Sequence, residues 1–101
     1  MHYYSRSRST ATNFTVETLE EQLSSFARIK QAVIQQRALL DSYYPERKLG
    51  LVLDEWGVCD RTVPEEEKQD GRLRQQITMR SAIAAALGPN LLNRHVDKLY
   101  T

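Results

Sequence analysis

Two adjacent carboxylates, Asp54 and Glu55, stand directly after the apolar run Leu49-Gly50-Leu51-Val52-Leu53 and directly before Trp56. The run is too short for a helix and does not alternate, which is the pattern of a strand covered on both faces, as in parallel sheets. A carboxylate stripped of water without partners is strongly penalised, so acids that close such a strand imply a strand end opening onto a polar cleft. Successive side chains point to opposite faces of the pleat, so one of the two acids projects into that cleft and the other turns away. In isolation an Asp-Glu pair is more often a helix cap or a surface ion pair. Trp56 shifts the balance, because a tryptophan beside a carboxylate is a platform for sugar rings, and paired carboxylates with aromatics suit glycoside hydrolysis.

The elements that must position these residues can be read on either side. Ser5-Arg6-Ser7-Arg8-Ser9-Thr10-Ala11-Thr12-Asn13 is small, polar and aperiodic, as a loop is. Thr18-Leu19-Glu20-Glu21 fits a capping box, and Leu19, Leu23, Phe26, Val33, Leu39 and Leu40 recur at helical spacing. One amphipathic helix of about six turns is therefore predicted from position 18 to 44. Pro45 stops it, since the ring excludes the preceding Tyr44 from helical angles and offers no amide donor. After the apolar strand at 49–53, Trp56-Gly57-Val58-Cys59 is predicted to leave the sheet, and positions 60–72, rich in glutamate, to form a solvated loop. Leu73, Ile77, Met79 and Ile83 lead into a second helix that Gly88-Pro89 breaks or kinks. The end, Val96-Asp97-Lys98-Leu99-Tyr100-Thr101, reads as a strand barely started. Alternating helix and buried strand is the βα repeat of an α/β protein with a parallel sheet.

Composition sets bounds rather than a partner. The 101 residues, 41% hydrophobic and 27% charged, are ordinary globular material for no more than one small domain. Fourteen Lys and Arg against thirteen Asp and Glu leave a formal charge of +1, so no global field favours nucleic acid, an anionic membrane or a polyanion. Cys59 is the single cysteine and has no cysteine or histidine at ligand spacing, so neither a disulfide nor a metal site is expected. No cofactor is implied either. The N-terminus has no apolar signal region and no run approaches the ~20 residues that span a bilayer, which gives a cytoplasmic reading.

Leu51-Val52-Leu53-Asp54-Glu55-Trp56-Gly57-Val58 resembles the nucleophile segment of α-L-arabinofuranosidases of glycoside hydrolase family 51. The flanks resemble the family as well. His2-Tyr3-Tyr4 is similar to its His-x-Tyr at the end of the preceding strand, and the approach from Asp41 to Lys48 to its Asp-Pro-x-Lys. Gln75-Gln76-Ile77-Thr78-Met79-Arg80-Ser81-Ala82 and Asn90-Leu91-Leu92-Asn93-Arg94-His95-Val96-Asp97 resemble the following helix and the entry to the last strand. The resemblance implies a (β/α)8 TIM barrel of which positions 1–101 would be a part, from about the end of strand six to the start of strand eight. A whole barrel takes roughly 250 residues.

By the same resemblance Glu55 is the nucleophile of a retaining enzyme acting on terminal α-L-arabinofuranosyl units of arabinan or arabinoxylan. His2, Tyr4 and Trp56 are implied as substrate-binding residues, with His2 and Tyr4 donating to Glu55 or to the sugar. Full-length relatives often assemble, which leaves a homo-oligomer open. Two departures stand out. No Asn-Glu pair occurs in the sequence, so the family's general acid/base is outside this chain and the chain alone is expected to be inactive. Cys59 stands where the family often has a second tryptophan.

Two other classes compete. The stretch from Ala82 to Val96 superficially resembles a helix-turn-helix, but its second half lacks a basic cluster, and Arg6 and Arg8 read more simply as a solvated loop than as a minor-groove arm. A small helical interaction protein without catalysis would instead pair the two predicted helices around residues 49–53. A cooperative far-ultraviolet melt of the isolated chain would favour that autonomous module over part of a barrel.

Overall fold

A computed structural model describes residues 1–71 and 74–100, the side chains of Glu66 and Asp70 excepted. The element order is β1 (His2–Arg6), α1 (Val16–Ala27), α2 (Ile29–Tyr43), β2 (Glu55–Cys59), α3 (Pro64–Asp70), α4 (Met79–Asn93) and a 3-10 turn (Val96–Lys98). β1 and β2 pair in parallel with His2 opposite Glu55 and Arg6 opposite Cys59. The backbone pairing continues beyond both strands, with Ser7 N donating to Cys59 O and Arg61 N to Ser9 O. A parallel pair needs a crossover connection, here supplied by α1 and α2.

The helix start lies three residues earlier than predicted. Thr15 is the N-cap, and Thr15 and Thr18 exchange side-chain and backbone hydrogen bonds in a reciprocal box, so Thr18 answers Thr15 rather than pairing with Glu21. The single long helix of the sequence is two. At Arg28 the backbone amide turns to Ser25 O, and Ile29 opens α2. The break lets Phe26 and Ile29 both enter the core, each fully buried with Val33. α2 ends at Tyr43, with Tyr44 out of helical angles ahead of Pro45.

The strand is displaced from its predicted position. Residues 49–53 are not in the paired ladder, and the ladder begins at Glu55 and includes Trp56, Gly57, Val58 and Cys59, which the sequence placed beyond the sheet. The ladder opens with His2 opposite Glu55, and ahead of it the Met1 ammonium donates to Val52 O. On the other side Tyr100 N donates to Leu51 O at 2.9 Å, so among the described residues the predicted last strand contributes one such hydrogen bond after the 3-10 turn. Leu49 and Val52 are accordingly exposed, at 43% and 48%, rather than covered.

Two further elements differ from the sequence reading. α3 forms within the predicted loop because Pro64 occupies its first turn, where a missing amide costs nothing. α4 starts at Met79, not at Leu73, which lies outside the described residues, and Ile77 is 89% exposed. It also runs through Gly88-Pro89 unbroken. The residue before a proline is kept out of helix largely by its Cβ, and Gly88 has none. Its bare face is used, since a Cβ there would come within 2.7 Å of Trp56 Cη2.

Candidate active site

Strand alternation sorts the sheet into two faces. Tyr3, Ser5 and Trp56 turn to the helices: the Tyr3 hydroxyl donates to Ser25 O at 2.7 Å, Ser5 Oγ to Gln22 O at 3.2 Å, and the Trp56 ring lies 5.8 Å from Phe26 and against Gly88. The register therefore sets His2, Tyr4 and Arg6 of β1 beside Glu55, Gly57 and Cys59 of β2 on the opposite face. Here His2, Tyr4, Arg6 and Glu55 are exposed.

Trp56 thus departs from its expected place. It neighbours Glu55 in sequence but faces away from it, because adjacent strand residues point to opposite sides. Its ring fills the space between α1 and α4 and is a packing group here rather than a platform beside the acid.

His2 and Tyr4 do meet Glu55. The Tyr4 hydroxyl donates to Glu55 Oε2 at 3.0 Å, and His2 Nδ1 lies 3.4 Å from the same oxygen. The other imidazole nitrogen, Nε2, is 3.3 Å from Asp54 Oδ2, and the Met1 ammonium is 3.1 Å from Asp54 Oδ1. Asp54 is the residue sequence reasoning left without a role. Its adjacency to Glu55 was visible, but that a single imidazole could span both acids follows only from the parallel register. An imidazole donates to both carboxylates at once only when both nitrogens carry protons.

Charge state follows the contacts. The ammonium beside Asp54, its own backbone hydrogen bond and His2 hold its carboxyl below the ordinary range. The Tyr4 phenol is pushed above the ordinary tyrosine value, first by its hydrogen bond to Glu55, then by lost hydration and by the negative charges around it. Burial raises the Cys59 thiol, with the Arg6 charge opposing and Asp60 adding. Among the described residues no three His, Cys, Asp or Glu side chains gather as a metal site, and no helix is long and apolar enough to cross a membrane.

A buried network anchors the carboxyl end of β2. The Asp60 carboxylate pairs with Arg80 and accepts from Gln22 Nε2 at 2.8 Å. Arg80 also donates to Ser9 Oγ at 2.8 Å and Thr10 O at 2.9 Å, and its guanidinium lies 4.4 Å from the Phe14 ring centroid. One charge pair thereby ties together the loop after β1, α1, the end of β2 and α4. A second buried arginine, Arg37, pairs with Asp41 and donates to Leu49 O at 2.8 Å, holding the chain as it approaches Asp54.

A parallel strand pair, covered by helices on one face and carrying a carboxylate, an imidazole and a phenol in contact on the other, is an α/β unit with its titratable cluster on the open face. Known proteins then give it a family likeness. The chain is 29% identical over 104 residues to an intracellular exo-α-L-arabinofuranosidase of Bacteroides ovatus, a match covering 98% of this chain and 20% of that protein. Its structure superposes with a TM-score of 0.82 and 29% identity on the GH51 arabinofuranosidase from Xanthomonas axonopodis pv. citri, covering 98% of this chain and 21% of that one. No family model matches. The chain spans about a fifth of the length of these relatives. The resemblance to arabinofuranosidases, one of them a GH51 enzyme, therefore holds in sequence and in structure along nearly all of this chain.

Proposed function

We propose that this chain is the nucleophile-bearing part of a retaining α-L-arabinofuranosidase barrel, equivalent to about the end of strand six through the start of strand eight. Its substrate is a terminal, non-reducing α-L-arabinofuranosyl unit of arabinan or arabinoxylan. The observation that carries this reading is the contact of Tyr4 and His2 with Glu55 on the open sheet face, within a chain that matches arabinofuranosidases almost end to end.

In this mechanism Glu55 attacks the anomeric carbon and forms a glycosyl-enzyme ester, which water then hydrolyses. Tyr4 and His2 both address Oε2, so they orient the carboxylate and leave Oε1 for attack. Asp54, 3.3 Å from His2 Nε2, steadies the imidazole. The leaving oxygen must be protonated by a second carboxyl group about 5 to 5.5 Å away in a retaining enzyme. The Asn-Glu pair that provides it in the family is not in this sequence, so the 101 residues alone bind or position but do not turn over. The intracellular setting named for the Bacteroides ovatus relative extends to this chain under the same proposal, which also includes a homo-oligomer.

Two assays test this together. The purified chain is expected to leave an aryl α-L-arabinofuranoside intact, and turnover abolished by Glu55→Gln would contradict the inactivity. Grafted into the Bacteroides ovatus enzyme in place of the matching fifth, the chain is expected to support hydrolysis. A graft that folds but is inactive would count against the reading.

A further inference from the structure

The open face does not carry one kind of charge. At the start of the strands it presents Asp54 and Glu55 with His2 and Tyr4, and toward their carboxyl ends it presents Arg6 and, one alternation past Cys59, Arg61. The net charge of +1 conceals this separation, because the two ends nearly cancel. Arg6 and Arg61 border one cleft of about 580 Å³, together with Cys59 and Thr62. Both arginines are exposed and, among the described residues, neither makes an ion pair. Arg37 and Arg80 are the opposite case, buried against Asp41 and Asp60.

The acids bordering this cleft are already engaged. Asp60 is taken up by Arg80 and Gln22, and Glu67 Oε1 accepts from Thr62 Oγ1 at 2.5 Å. The guanidinium groups are therefore left to solvent or to a ligand. A guanidinium prefers a carboxylate, to which it offers two parallel donors, whereas the Thr62 and Ser7 hydroxyls on this cleft are bonded to Glu67 and Ser9. From Glu55 to Cys59 the strand advances by about 13 Å at 3.3 Å per residue, so a ligand reaching both ends must be longer than one sugar unit.

We propose that this basic end binds the carboxylate of an acidic saccharide, a uronic acid unit joined to the arabinosyl residue that lies at Glu55. Arg6 and Arg61 then set a preference for uronate-bearing substrates over neutral ones. The inference rests on the arabinofuranosidase reading for the position of the arabinosyl unit, but the binding of the uronate does not depend on turnover.

The test is titration of the whole 15N-labelled chain with digalacturonate and, separately, with neutral arabinobiose, reading the arginine side-chain signals. Digalacturonate is expected to shift Arg6 and Arg61 in a saturable way that weakens with salt, and Arg6→Gln or Arg61→Gln to lower the affinity tenfold or more with the amide spectrum unchanged. No shift, an equal response to arabinobiose, or indifference to both substitutions overturns the proposal. Turnover by the graft separates the two readings. Uronate binding in a folded but inactive graft sinks the arabinosidase assignment alone, whereas hydrolysis with no preference for an acidic substrate that Arg6→Gln removes sinks the basic end alone.

Discussion

Glu55 and Asp60 bracket the same strand yet live in different surroundings. The Asp60 side chain is 5% exposed, bonded to Gln22 and locked to an Arg80 side chain that is 1% exposed, whereas Glu55 is 53% exposed and meets a phenol and an imidazole. A buried carboxylate tied on several sides is committed to holding elements together. One with weakly held partners and an open oxygen can still react. The strand thus carries a buried, fully bonded acid at one end and an exposed acid, proposed as the nucleophile, at the other.

The comparison breaks most visibly at Arg80. Arg80→Met leaves Asp60 buried without its cation and is expected to cost about 3–5 kcal/mol, read as a drop in the urea midpoint of the folded graft, while Arg80→Met with Asp60→Leu recovers most of it. If the single variant is as stable as the wild type, Asp60 is not the anchor described. Next comes the helix side of the sheet. Gly88→Val drives a side chain into the Trp56 ring and is expected to cost about 1–3 kcal/mol in a thermal melt.

The smallest effect sharpens the Glu55 end. With its folded value raised, the Tyr4 phenol lends stability that is intact below the ordinary tyrosine value of 10.0 and fades as pH climbs through the raised one. Glu55→Gln removes the negative charge and is expected to bring the Tyr4 titration down toward that ordinary value, followed by its ring signals. A Tyr4 titration indifferent to Glu55→Gln would mean the two groups are not in contact.

How far the sequence reaches can be judged at particular residues. The amphipathic face with Phe26 and Val33, the end of the helix before Pro45 and the α/β alternation were legible because each follows from local period or from proline geometry. The approach of His2 and Tyr4 to Glu55 was legible only through resemblance, since nothing local brings residue 2 to residue 55. The faces were read wrongly at Trp56, where sequence adjacency suggested a shared cleft and strand alternation separates the two. The strand itself was misplaced because apolarity at 49–53 reports burial potential, whereas a ladder needs a partner in register. Asp60 lay in a stretch read as solvated and its partner Arg80 in the second helix, and the network they join draws on four separate segments.

The central claim is that Glu55 forms the bond to the sugar. It is tested most directly by treating the folded graft with an activated 2-fluoro aryl α-L-arabinofuranoside, whose leaving group departs without acid assistance, and locating the adduct by peptide mass spectrometry. The account expects one fluoroarabinosyl group on the peptide containing Glu55, absent in Glu55→Gln. An adduct on another carboxylate, or undiminished labelling of the Glu55→Gln variant, would contradict it.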